Sequence, residues 1–293
     1  MSIVDALQRA KILGKEKQAE SRASRSSTHA KRSQDESPAR TSQSTAPEPR
    51  LPPAEVVKFP RLAYDLEACV DNHILVPDAE ARLLQAGSPA YRMLRARILQ
   101  RCRTNQWSIL ALTSPGPGEG KSVTAINLAL SIAREGNHDV FLIDIDMRNP
   151  SICGYLGVDA RAEVVNFFAG TATPADIFFT IGVDNLTIAG GFTPTNRASE
   201  MLASNKLEEL CDYIRRVSSN PLVILDLPPV VNTDDALVVA PRVDSTVLVV
   251  SEGRTKREGL SRALEVLSEF PLAGIILNRT SESVSSEYYG GKY

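Results

Sequence analysis

The sequence predicts a single α/β domain built on a doubly wound parallel sheet, with a disordered N-terminal arm before it and a flexible tail after it. Short runs that are apolar throughout alternate with helical patterns, which is typical of a parallel sheet covered by helices on both faces. The first of these runs leads directly into a glycine-rich loop. With 293 residues, 43% of them hydrophobic, the chain can form one core of this kind.

The N-terminal arm lacks the material for a core. Residues 1–58 contain no aromatic side chain and are dominated by polar and charged types, so we expect disorder. Apolar residues at helical spacing predict a short amphipathic helix within 1–18, followed by a disordered arm or linker over 19–78. The arm leans basic, and we interpret it as a solvated tail or as a weak contact with anionic lipid or a partner.

Composition excludes several classes of protein. The net charge of −2 argues against a nucleic-acid binder. The four cysteines lie far apart without a CxxC pair, so neither a zinc site nor a disulfide framework is indicated. No run reaches ~18 apolar residues, and no signal-peptide core is visible. We therefore expect a cytosolic protein that meets a membrane only through a partner or a peripheral contact.

The folded domain is expected over 79–280. Hydrophobic periodicity predicts helices at 79–103 (interrupted at Pro89), 122–134, 206–217 and 256–270. Buried strands are predicted at 107–113, 140–145, 186–189, 222–227, 245–250 and 272–277, with an irregular, phenylalanine-containing region before the third. Ligands of such sheets bind at the carboxyl ends of the strands.

The loop at 114–122 follows the first strand and predicts a phosphate site. Its glycines let backbone N–H groups turn inward, Lys121 can reach the outer phosphates, and the Ser122 hydroxyl can bind magnesium. A strict GxxxxGK[ST] motif requires glycine where this chain has Pro115, a small departure. The predicted nucleotide-binding residues here are Pro117, Gly118, Glu119, Gly120, Lys121, Ser122 and Val123.

Acidic residues follow two further strands. Asp144 and Asp146 come at the end of the second strand, where a period of two places them on the same side. Asp226 ends a later apolar strand, where P-loop enzymes hold magnesium or its water. Together these carboxylates are suited to hold a hard cation and to accept a proton.

The order of these motifs closely resembles the bacterial tyrosine autokinases, or BY-kinases, which are P-loop proteins related in fold to MinD and ParA. The resemblance covers the chain from about residue 88 to its end. It rests on the phosphate loop as Walker A, the Asp144-x-Asp146-x-Arg148 segment as Walker A′, and Asp226 with the prolines that follow as Walker B. The pair Asp235-Ala236 also matches.

The resemblance implies roles for these residues toward ATP and Mg²⁺. Lys121 and Ser122 would bind phosphate and magnesium, and Asp144 would be the base. Asp146 and Asp226 would belong to the metal site, with Lys121 and all three aspartates forming the catalytic set. Asn278, at the end of the last strand, occupies a place where related ATPases bind the adenine.

The C-terminal tail, 281–293, carries the family's tyrosine cluster. Tyr288, Tyr289 and Tyr293 lie in the last six positions and would be the phosphoacceptors. The family's Glu-x-x-Arg-x-x-Arg motif for oligomerisation is half present, with Arg92 and Arg95 in register but Pro89 in place of the glutamate. The resemblance implies self-association, with a ring regulated by tail phosphorylation as the hypothesis.

The resemblance also implies a cellular role in exopolysaccharide biosynthesis and export. A stand-alone kinase of this type would be cytoplasmic, and peripheral to the inner membrane through a transmembrane polysaccharide chain-length regulator that activates it. The polar arm and the YYGxxY ending are most similar to autokinases of exosortase-associated loci.

Two alternatives remain open at this stage. A MinD- or ParA-like switch ATPase would use the same fold to control assembly on a membrane partner. Such proteins carry a second lysine early in the phosphate loop, at the position of Gly116 here, and its absence favours the kinase. A nucleotide-binding adaptor whose tail is phosphorylated by another kinase would also fit the sequence.

Overall fold

The computed structural model describes residues 57–82 and 88–280. Its strands are β1 Ile109–Thr113, β2 Asp139–Asp144, β3 Leu186–Ala189, β4 Pro221–Asp226, β5 Ser245–Ser251 and β6 Leu272–Asn278. They form one parallel sheet in the order β3-β2-β4-β1-β5-β6. The predicted doubly wound α/β fold is confirmed.

The helices of the described residues lie between and before these strands. They are α1 Leu66–Asp71, α2 Pro77–Arg82, α3 Ser88–Asn105, α4 Lys121–Ala133, α5 Ile152–Leu156, α6 Val164–Phe168, α7 Pro174–Ile177, α8 Ala198–Ala203, α9 Lys206–Val217, α10 Asp235–Val239 and α11 Arg257–Val266. A 3₁₀ turn, Ala240–Arg242, follows α10.

The alternating side chains of the strands define the core on each face of the sheet. In β1, Leu110 and Leu112 join one apolar cluster, and Ile109 and Ala111 join the other. Helix α4 is buried along almost its whole length because it lies between the sheet and α3. Helix α9 covers the opposite face with leucine and isoleucine side chains at helical spacing.

The predicted strands and long helices agree with the structure to within a few residues. The region between β2 and β3 differs, because it contains the short helices α5, α6 and α7 where the sequence predicts irregular structure. Helices of four or five residues are too short to show a 3.6-residue period. The phenylalanines of this region are all buried.

The predicted linker, 19–78, extends too far toward the domain. Residues 57–78 pack on the core: the Phe59 and Phe178 rings lie 5.3 Å apart, and Cys69, Ile74 and Val76 are fully buried. Helix α1 begins at the capping residue Asp65, whose carboxylate accepts a hydrogen bond from the Glu67 N–H. The apolar stretches of this segment are too short to predict structure on their own, and they are buried through contacts with distant segments.

The rest of the predicted domain organisation stays a prediction. The amphipathic helix at 1–18, the arm up to residue 56 and the tail at 281–293 lie outside the described residues. In the part of the chain that the structure describes, every helix is too short or too polar to cross a bilayer.

Candidate nucleotide-binding site

The register of the sheet brings the strand-end carboxylates together. β2 and β4 are parallel neighbours, and Asp144 and Asp226 are paired across them. β1 lies on the other side of β4, so the loop that follows β1 opens beside the same carboxylates. Both aspartates are buried, as is Asp146.

The phosphate loop reaches its shape through two glycines with left-handed backbone. Gly118 has φ 71° and Gly120 has φ 87°, angles that L side chains rarely adopt. Gly120 caps α4 without any side-chain hydrogen bond to the first turn. The N–H groups at this helix start are therefore available to an anion, and the helix dipole favours one there.

Lys121 lies among the carboxylates. Its Nζ is 3.0 Å from Asp146 Oδ2, 3.3 Å from Asp226 Oδ1 and 3.3 Å from Ser122 Oγ. Burial alone would lower the pKa of Lys121, but the charges of Asp226, Asp146 and Asp144 raise it above its ordinary value. The side chain is therefore a fixed cation at the mouth of the loop.

Asp144 is held rigidly by backbone donors. Its Oδ2 accepts hydrogen bonds from the N–H groups of Ser151, at 2.8 Å, and Ile152, at 3.0 Å, and Oδ1 accepts one from Asp146 N–H at 3.2 Å. Burial and the neighbouring Asp226 raise the pKa of Asp144 to about 7, although Lys121 and the N–H donors act in the opposite direction.

A divalent cation fits beside Asp226. Its Oδ2 is fully buried and has no hydrogen-bond partner among the described residues. A buried carboxylate oxygen without a partner is costly unless a cation or water reaches it. Ser122 Oγ lies close by, because Lys121 Nζ is 3.3 Å from it and 3.3 Å from Asp226 Oδ1.

The protein alone offers an incomplete ligand set for a metal. No cluster of three or more His, Cys, Asp or Glu side chains in the described ranges is placed to bind a metal by itself. Mg²⁺ at phosphate sites is usually held by one or two carboxylates together with phosphate oxygens and water. Ser122, Asp146 and Asp226 fit that pattern when a nucleotide is present.

Asn278 lies at the rim of the phosphate loop. Its Nδ2 donates a 3.0 Å hydrogen bond to the carbonyl of Glu119. A Cβ atom at Gly120 would lie 2.1 Å from the same nitrogen, so glycine at 120 is needed for this contact as well as for its backbone angle. Of the other predicted loop residues, Pro117 is exposed and Val123 is half-buried in the first turn of α4.

Arg148, the last residue of the predicted Walker A′ segment, is bound by residues outside the phosphate loop. Its Nε lies 2.6 Å from the buried Asp235 Oδ2, and its Nη2 donates to Ser199 Oγ at 2.8 Å. The arginine thus joins the segment after β2 to the start of α10 and to α8.

The predicted oligomerisation residues Arg92 and Arg95 lie on α3, away from the site. Arg95 contacts its own chain, with Nη1 2.8 Å from the Ser131 carbonyl and Nε 3.0 Å from Glu135 Oε2. Arg92 is exposed. The tail tyrosines lie outside the described residues.

Three residues that position the site side chains could not be predicted from the sequence. Ser151 and Ile152 position Asp144, and Thr255 bonds to Glu119. No motif in the sequence marks these residues, because only the folding of distant segments brings them to the site.

Comparisons with known proteins agree with this geometry. Residues 106–286 match the family ParA, described as NUBPL iron-transfer P-loop NTPase. Tyrosine-protein kinase CpsD of Streptococcus agalactiae is 31% identical over 222 residues, covering 74% of this chain and 94% of the relative. Tyrosine-protein kinase YwqD of Bacillus subtilis is 32% identical over 210 residues, covering 70% and 87%.

The solved structures lead to the same conclusion. The kinase domain of VpsO superposes with a TM-score of 0.60 at 28% identity, covering 70% of this chain and 98% of that domain. The fold and the phosphate loop define the chain as a P-loop NTPase of the ParA type. Within that class, it belongs to the family of bacterial tyrosine-protein kinases. The resemblance predicted from the motifs is confirmed.

Proposed function

We propose that this protein is an ATP-dependent protein-tyrosine autokinase that phosphorylates its C-terminal tyrosine cluster and so regulates exopolysaccharide synthesis or export. One observation carries the proposal. A phosphate loop with Lys121 set between buried carboxylates occurs in a tyrosine-kinase chain whose last six residues include three tyrosines.

The chain would bind ATP through the loop amides and Lys121. In the described structure Lys121 is paired with Asp146 and Asp226, and phosphate oxygens would share its three donors. Ser122, Asp146 and Asp226 would hold Mg²⁺, which supplies charge neutralisation on the phosphates. Asn278 is proposed to contact the adenine from the rim of the loop.

Asp144 would accept the phenolic proton. The tyrosine oxygen attacks the γ-phosphorus, the bond to the bridging β–γ oxygen breaks, and ADP leaves. The proton of the hydroxyl passes to a carboxylate oxygen of Asp144, whose orientation is fixed by three backbone N–H donors. Its raised pKa suits a base that works near neutral pH.

Self-association and a membrane partner complete the proposal. The residues after Thr280 span roughly 40 Å when extended, which is enough for one copy's tail to enter a neighbour's site. Each phosphate adds about −1.5 to −2 charges, so a modified tail would repel its neighbours and loosen an oligomer. On the family resemblance, the activating partner is a transmembrane chain-length regulator that brings the kinase to the inner membrane.

The alternative is a switch ATPase of the MinD or ParA kind, and the match to the ParA family fits this function as well. The glycine at 116, where those proteins carry a lysine, and the tail tyrosines favour the kinase.

The two functions differ in where the γ-phosphate goes. The purified chain should be incubated with Mg²⁺ and γ-labelled ATP, and acid-stable label on tyrosine should be measured beside released phosphate. The kinase predicts labelled tyrosine that is lost in Lys121→Met. Released phosphate with an unlabelled chain would instead assign the switch ATPase.

A further inference from the structure

The phosphate loop contains a carboxylate, Glu119, that is turned away from the phosphate side. Its side chain is buried, although a negative charge within an anion-binding loop opposes the ligand. Oε1 accepts a hydrogen bond from Gly116 N–H at 3.2 Å, and Oε2 accepts one from Thr255 Oγ1 at 2.8 Å. Glu119 therefore joins the loop to the segment after β5.

That segment is a closed turn. The Thr255 hydroxyl accepts a 2.8 Å hydrogen bond from Ser251 N–H, and Thr255 N–H donates to the Ser251 carbonyl at 3.0 Å. Gly253, with φ 70°, allows the chain to reverse here. The position of the next side chain, Arg254, thus depends on the bond between Thr255 and Glu119.

Arg254 lies directly against the phosphate loop. A Cβ atom at Gly118 would be 2.7 Å from Arg254 Nη2 and 3.0 Å from Cζ, so the guanidinium contacts the bare glycine Cα. Arg254 is exposed. Burial raises the pKa of Glu119 above its ordinary value, and the hydrogen bonds from Thr255 and Gly116 and the charges of Arg254 and Arg279 oppose this rise.

We propose that Arg254 binds the polyphosphate of the nucleotide and that Glu119, acting through Thr255, positions it. The assignment rests on the proposed function, because it requires a nucleoside triphosphate in the loop. A guanidinium offers planar donors that match phosphate oxygens, and this one is held beside a loop whose N–H groups attract the same oxygens. Glu119 offsets its own unfavourable charge by bringing a cation to the loop.

The first test measures nucleotide affinity in the full chain by calorimetry with Mg²⁺ and ATP. Arg254→Ala should weaken ATP binding roughly tenfold or more, as expected for a charged hydrogen bond. Arg254→Lys should recover part of the loss, because it keeps the charge without the planar donors. Arg257→Ala, an exposed arginine on the adjoining helix, is the matched control and should bind like the wild type.

The polyphosphate contact is separated from a contact with adenosine by comparing ligands. ATP and AMP should each be measured by competition against a fluorescent ATP analogue, and Arg254→Ala should weaken ATP more than AMP. Equal weakening of both, or ATP binding as tight as in the Arg257→Ala control, overturns the assignment. A wild-type chain that binds no ATP would instead overturn the proposed function itself.

The positioning role is tested by a double-mutant cycle. Thr255→Val removes the hydroxyl and should weaken ATP binding. Thr255→Ser keeps the hydroxyl and should bind ATP about as tightly as the wild type. On the Thr255→Val background, Arg254→Ala should cause little further loss, because the arginine is already misplaced. The role of Glu119 and Thr255 is overturned if Thr255→Val binds ATP as tightly as the wild type. It is also overturned if the losses of ATP affinity in the two single variants add fully in the double variant. Urea unfolding midpoints of all variants show whether each is folded in the assay.

Discussion

At the residue scale, the site depends on a few buried charges whose neighbours are set by sheet register. Lys121 could be chosen from the sequence because it closes the phosphate-loop pattern, and the aspartates could be chosen because they lie at or just after the ends of predicted strands. The hydrogen-bond partners of these side chains could not be predicted from the sequence. The hydrogen bonds from Ser151 and Ile152 to Asp144 depend on how the short helix α5 packs, and nothing in that segment's composition indicates it.

Asp144→Asn is expected to abolish tyrosine phosphorylation while leaving ATP binding measurable. The amide cannot accept the phenolic proton, and its NH₂ group would face the Asp146 N–H that Oδ1 now accepts. The lost hydrogen bond and the removal of a buried charge beside Asp226 act on stability in opposite directions, so urea unfolding serves here to show that the variant is folded.

Phosphotyrosine, ATP affinity and urea unfolding should be measured on this variant, with the exposed Asp159→Asn as control. Wild-type levels of phosphotyrosine in Asp144→Asn would rule out Asp144 as the base.

At the element scale, periodicity predicted the long helices and buried strands because each presents one apolar face or run over enough residues. It failed where an element is short or where distant segments supply the stability. Helices α5 to α7 and the segment 57–78 are held by tertiary contacts, including the Phe59–Phe178 ring contact and the burial of Ile74 and Val76.

The segment before α2 depends on one residue of α4. Asn127 is 2% exposed; its Oδ1 accepts from Leu75 N–H at 2.8 Å, and its Nδ2 donates to the His73 carbonyl at 2.9 Å. Asn127→Ala leaves the buried Leu75 N–H without a partner and should lower the free energy of unfolding by roughly 2 kcal/mol.

Urea denaturation measures this loss, and limited proteolysis should show earlier cleavage near residues 72–76. The exposed Asn137→Ala serves as control. Equal stability of Asn127→Ala and wild type would mean that these residues are not anchored through α4.

Glu163 should make the stability of the region after β3 depend on pH. Burial would raise its pKa, but hydrogen bonds from the N–H groups of Thr193 and Phe192 and from the Thr193 hydroxyl lower it below its ordinary value. A lowered folded-state pKa contributes stability that is present above the unfolded pKa of ~4.3 and is lost as pH falls through the folded value.

The difference in unfolding free energy between wild type and Glu163→Gln should therefore be largest near pH 7, about 1 kcal/mol, and should shrink below about pH 4. Urea titrations at both pH values measure it, with Glu269→Gln, exposed on the surface, as control. A difference that stays constant across this range would contradict the role given to the carboxylate.

At the scale of the whole molecule, the fold gathers every chemical group of the site at the carboxyl edge of one sheet. β1 supplies the phosphate loop, β2 and β4 supply the carboxylates, and β5 and β6 bring Arg254 and Asn278 to the rim. The alternation of strands and helices predicted this arrangement. The contacts at the rim could be identified only from the structure, because their residues lie more than 100 positions from the loop in the sequence.

The central claim is that this site phosphorylates the tail tyrosines of a neighbouring copy. It is tested most directly by mixing two full-length variants with Mg²⁺ and ATP and mapping phosphate by mass spectrometry. Lys121→Met keeps the tail but lacks the phosphate contact, and the variant with phenylalanine at 288, 289 and 293 keeps the site but lacks acceptors. Each alone should remain unmodified on the tail, and the mixture should carry phosphate on the tail of the Lys121→Met chain. A mixture in which ATP is hydrolysed while that tail stays unmodified would contradict the claim.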